Sequence, residues 1–83
     1  MLNTTCLVKS FKGNQIIQVY PVKGKLNLNG RFIGNDGMEV FLSKKGSKFF
    51  HTQSYLAGTE SYHLDYLVRL NLIQRIKLFF KGH

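Results

Sequence analysis

Residues 59–81, TESYHLDYLVRLNLIQRIKLFFK, decide how this chain is read, because they fit two periodicities at once. Leu64, Leu67 and Val68 fall at i, i+3 and i+4, the apolar stripe of a helix lying on a sheet. Thr59 or Ser61 would cap such a helix, with Glu60 and Asp65 placed favourably near its positive end. Asn71 tolerates a left-handed conformation and would end the helix at Leu70. Beyond it the alternation is two-fold: Ile76, Leu78 and Phe80 would face one way and Arg75, Lys77 and Lys81 the other, as in a strand. Read as one helix to Phe80, the whole segment spreads its apolar residues around every side. Helix over about 60–70 and a final strand over about 73–80 is therefore the expected order.

Upstream, turn signals recur at short intervals: Lys12-Gly13-Asn14, Lys23-Gly24, Asn29-Gly30, Asn35-Asp36-Gly37 and Lys45-Gly46. Asn-Gly and Asp-Gly are strong hairpin signals because glycine accepts the positive φ that tight turns need. Strand-length segments lie between them: Thr4 to Phe11, Gln15 to Val22, Lys25 to Asn29, Arg31 to Gly34, Met38 to Ser43 and Lys48 to Thr52. Met38, Val40 and Leu42 would share one face, with Glu39, Phe41 and Ser43 opposite. Pro21 lacks a ladder donor, which places it at an edge or bulge. The expected fold is α+β: an antiparallel five- or six-stranded sheet or small barrel, one helix in the C-terminal half and a last strand, with residues 1–83 forming a single small basic domain. With 83 residues the core is small, and a second domain or repeat array does not fit.

Twelve Lys and Arg against four Asp and Glu give a formal charge of +8. Such an excess attracts nucleic acid, anionic membranes or acidic proteins. The cations that would meet phosphate are Lys23, Lys25, Arg31, Lys44, Lys45, Lys48, Arg75 and Lys77. Lys44, Lys45 and Lys48 ride one hairpin tip, and Arg75 and Lys77 form a row on the expected last strand with Arg69 nearby. Lysine dominates, and lysine acts as a point charge where base recognition favours the forked guanidinium, so contact with DNA or RNA would be mainly to the backbone. Phe49-Phe50 and Phe79-Phe80 would each bury one ring, leaving Phe49 or Phe79 as a candidate for stacking on bases. The expectation is a non-enzymatic nucleic-acid-binding protein. The alternative is a small modulator docking on an acidic protein partner, and a homodimer completing the core is compatible with either.

Catalytic chemistry finds little footing. The carboxylates Asp36 with Glu39 and Glu60 with Asp65 sit where a turn and an expected helix start explain them. His51, His63 and His83 lack metal-ligand spacing, Cys6 has no CxxC partner, and no glycine-rich phosphate loop occurs, so neither metal nor cofactor is expected. The lone Cys6 fits a buried small residue in a reducing, cytoplasmic setting. No apolar run reaches the ~18–20 residues of a membrane span, and no charged-then-apolar leader opens the chain, which is read as used whole. Leu64 to Lys81 is apolar and cationic like a membrane-surface helix, but as a single helix it shows no distinct faces. The abundance of residues with AT-rich codons suits a low-GC genome, and the compact, motif-free character suits a phage or mobile element.

Overall fold

Alternation is strongest in two long antiparallel hairpins, and these form the body of the sheet. In the computed structural model, which describes residues 1–81, the elements are β1 (Leu2–Lys12), β2 (Gln15–Leu26), β3 (Arg31–Gly34), β4 (Glu39–Phe41), β5 (Ser43–Lys45), β6 (Lys48–Ala57), β7 (Glu60–Arg69) and α1 (Leu72–Lys81). The strands form one seven-stranded sheet in the order β4-β3-β2-β1-β7-β6-β5. Its two edge strands, β4 and β5, are consecutive in the chain with only Leu42 between them. The sheet therefore curls until its edges meet, making a small, nearly closed barrel with one C-terminal helix, an α+β fold as expected.

Period-two patterning supplies the core. Cys6 and Val8 of β1, Val22 and Leu26 of β2, Phe32 of β3, Phe49 of β6 and Val68 of β7 are buried, and Leu42 joins them at the junction. Met38 and Val40 pack against this core while Phe41 is 66% exposed, so residues 38–43 divide between faces as their alternation requires. Gly30 lets Leu42 dock. It holds φ at 93°, where glycine is favoured. It also accepts a 2.7 Å hydrogen bond from the Leu42 amide, and a Cβ there would overlap the Leu42 carbonyl.

The C-terminal third reverses the expected order: residues 60–69 are a strand and residues 72–81 a helix. Tyr62, Leu64, Tyr66 and Val68 alternate as cleanly as Leu64, Leu67 and Val68 repeat helically, and tertiary pairing selects between the patterns. β7 is bonded on both sides, to β1 and to β6, so two ladders outweigh one helical ladder. Thr59 lies in the β6–β7 turn with Gly58 at φ 68°, and caps nothing. Asn71 begins a helix rather than ending one. Its Oδ1 accepts from the Gln74 amide at 2.8 Å, and Gln74 Oε1 accepts from the Asn71 amide at 3.2 Å, a reciprocal capping box. A last strand would have had no edge to join, since the two sheet edges already meet at Leu42.

Two smaller expectations also change. Lys23-Gly24 is not a turn: Gly24 sits inside β2 opposite Gly34, where a Cβ would press on the Phe32 ring at 2.8 Å. The segment from Lys25 does not alternate through to Asn29. Asn27 Oδ1 accepts from the amides of Asn29 (3.0 Å) and Arg31 (2.9 Å), which ends β2 at Leu26 and leaves Leu28 in a loop. Pro21 fits its expectation. The Lys23 carbonyl accepts from Asn35 on the β3 side, so the backbone of Pro21, two residues away, points the same way, beyond the end of the short β3.

The molecule measures 46 × 25 × 18 Å, elongated because the β1–β2 and β6–β7 hairpins run on past the barrel as a four-stranded wing. A bulge shifts the β1–β2 register between Ser10 and Phe11, at the root of this wing.

Candidate polyanion interface

Because Cys6, Val22, Phe49 and Val68 point inward, Thr5, Lys23, Lys48 and Arg69 point outward from the same strands. Register then aligns them. Lys45 of β5 pairs with Lys48 of β6, and Lys48 pairs with Arg69 of β7. The β1–β7 register, continued by two residues past Leu7 and Leu67, sets Thr5 beside Arg69, and Thr5 pairs with Lys23 of β2. Arg69, Thr5 and Lys23 also line one 500 Å³ cleft with Asn35 and Gln74. Four cations thus lie in one line across five strands, spanning about 19 Å at ~4.8 Å per strand. Lys25 lies on the same outer face, two residues along β2 and paired with Asn3 and Ile33.

Among the described residues no carboxylate interrupts this line. Glu39 is held by Arg31, Nε to Oε1 at 2.8 Å, and Glu60 by Lys12 at 2.9 Å. Asp65 accepts from Thr52 Oγ1 at 2.9 Å, and Asp36 from the Met38 amide at 3.0 Å. Like charges directly opposite across strands repel, so Lys45, Lys48 and Arg69 lie side by side against their mutual repulsion.

Of the eight residues named from sequence, Lys23, Lys25, Lys45 and Lys48 share this outer face. Arg31 is committed to Glu39. Lys44 lies on the opposite side of its strand, with Nζ 5.9 Å from the Phe49 ring centroid. Arg75 and Lys77 form no strand row: on a helix they stand about 200° apart. Arg75 lines the cleft shared with Lys44, and Lys77 borders Met1 and Asn3. Arg69, read from sequence as a helix residue beside the row, is instead the strand residue at its centre. The Tyr62–Val68 alternation was the signal that would have placed it there. Phe49 is 1% exposed and cannot stack on a base, whereas Phe50, Phe79 and Phe80 are exposed.

The inner face of the wing carries a second constellation. All four tyrosines of the chain lie there. Tyr20 and Tyr66 flank Val8, and Tyr55 stacks on Tyr62 with ring centroids 5.4 Å apart. His51 tilts against Tyr66 at 6.1 Å. Burial raises the Tyr66 phenol pKa above its ordinary value. His63, on the outer face, sets Nε2 3.0 Å from the Gly13 carbonyl rather than lying on a helix, and His83 lies outside the described residues. Among the described residues no group of three or more His, Cys, Asp or Glu side chains could hold a metal ion.

Fold and outer face together define a small basic antiparallel barrel with an exposed cationic row. Comparison of the chain with protein-family models, with curated proteins and with solved structures finds no match.

Proposed function

We propose that this protein is a non-enzymatic binding module whose outer face meets the phosphate backbone of DNA or RNA. The observation that carries this reading is the row Lys45–Lys48–Arg69–Lys23, four unneutralised cations in register across a rigid sheet. Phosphates along a nucleic-acid strand supply negative charge at comparable intervals, and a lysine-rich row reads charge rather than base identity. The buried, unpaired Cys6 fits work in a reducing compartment such as the cytoplasm.

Fluorescence anisotropy with mixed-sequence DNA and RNA tests this. Binding should be micromolar or tighter at low salt, and its logarithm should fall with log salt by roughly 0.9 per phosphate neutralised on duplex DNA. Lys45→Glu with Lys48→Glu should weaken binding at least tenfold and flatten the slope by about two. Unchanged titrations would reject the row as the site.

The tyrosine face favours a second reading, a modulator that docks on a protein. Tyrosine is enriched at protein interfaces, and the inner face of the wing, which no layer of described residues covers, has room for a partner chain or a second copy. Recovery of an acidic partner at physiological salt, together with absent nucleic-acid binding, would favour it.

A further inference from the structure

Helix α1 turns the wrong side to solvent. Among its described side chains only Leu78, 3% exposed, is buried, and with Gln74 it marks the side that rests on the barrel. The opposite side carries Leu72, Ile73, Ile76, Phe79 and Phe80, each between 50% and 72% exposed. At 100° per residue these five cover one continuous arc of roughly 120°. Arg75 borders the arc on one side and Lys77 on the other. No acidic residue occurs in the helix, and Lys44 adds a cation across the 310 Å³ cleft that Ile76 and Phe79 line. As a single helix from Leu64 to Lys81 the segment shows no distinct faces; starting at the Asn71 cap, the faces separate.

We infer that α1 lies in the interface of an anionic lipid bilayer, with Leu72, Ile76, Phe79 and Phe80 among the acyl chains and Arg75 and Lys77 at the headgroups. Charge complementarity selects this occupant. A second copy would set Arg75 and Lys77 against their own counterparts, with no carboxylate in either helix and +8 on each chain. Unpaired bases could stack on the Phe79 or Phe80 ring, but they offer nothing to the aliphatic Leu72, Ile73 and Ile76 that make up most of the arc. The arc is broad: Leu72, Ile76, Phe79 and Phe80 all line the 310 Å³ cleft, and the Phe79 and Phe80 rings stand edge-to-face at 5.4 Å. A headgroup layer offers negative charge on all sides of an apolar interior and requires no matching groove. No helix among the described residues is long and apolar enough to cross a membrane, so α1 would lie in the surface plane.

The chain has no tryptophan, so Phe79→Trp installs a unique probe at an exposed position. With vesicles of phosphatidylcholine and phosphatidylglycerol, its emission should shift to the blue and the protein should co-sediment. Vesicles of phosphatidylcholine alone should bind more weakly. Ile76→Asn with Phe80→Asn, both at exposed positions, should weaken binding by more than ~tenfold while circular dichroism shows the fold retained. Arg75→Glu with Lys77→Glu should abolish the preference for anionic vesicles. Unchanged emission with anionic vesicles overturns the inference, as does co-sedimentation that ignores the apolar substitutions. So does a concentration-dependent blue shift without lipid, which would make the ridge a contact between copies or with a protein.

Discussion

Glu60 shows how single side chains set the pH response of the wing. Its carboxylate accepts from the Tyr62 hydroxyl at 2.7 Å and pairs with Lys12 at 2.9 Å, tying the end of β1 to the start of β7. The Tyr62 hydrogen bond first, and then Lys12, hold its carboxyl pKa below the ordinary glutamate value. A lowered folded-state pKa contributes stability that is fully present above the unfolded value and lost as pH falls through the folded one. Glu60→Gln should therefore narrow the stability gap between neutral and acid solution below about pH 4.5, read by urea titration at a series of pH values. The Lys12–Glu60 pair is about half exposed, where solvent screens it, and the effect should be small. An identical acid profile would show that the triad is not held in solution. Cys6 is the contrasting case, its thiol pKa raised by burial among apolar neighbours.

The hairpins and the helix were unequally legible before folding. Hairpin β1–β2 was readable because its alternation competes with no helical pattern. Met38–Ser43 gave its faces correctly but not its break: Leu42 is the corner at which one extended segment leaves β3 for β6, and that corner depends on Gly30 lying beneath it. Helix α1 depends on Asn71. Asn71→Ala removes the acceptor for the Gln74 amide and should cost about 1 kcal/mol, seen as lost helical ellipticity and earlier melting of the C-terminus. Retained ellipticity would mean that Leu78 packing alone keeps the helix.

Taken whole, the molecule is a small barrel with a wing that both solvent faces reach. The core residues cluster in the barrel, and from Gln15 to Val19 every β2 side chain is exposed. Amide exchange should follow that division: slow for Cys6, Val8 and Val68, and orders of magnitude faster for residues 13–18 and 55–61. Uniform protection would indicate that a partner or second copy covers the wing. Charge divides at the same level. Cations separated by up to 46 positions in the chain, Lys23 and Arg69 among them, become neighbours only because β1 lies between their strands. No reading of local periodicity supplies that adjacency.

Local chemistry determined the hairpin-rich α+β class, the cationic excess, the inward residues of β1 and the missing metal-ligand spacing, since each follows from side-chain alternation, turn geometry or residue type within a few positions. Tertiary structure decided between strand and helix for residues 60–81, made Arg69 the centre of the basic row, tied Arg31 to Glu39 and turned the apolar side of α1 outward. Those outcomes depend on which strands lie side by side. Pairing β7 with both β1 and β6 adds two ladders of backbone hydrogen bonds that no short stretch of sequence contains.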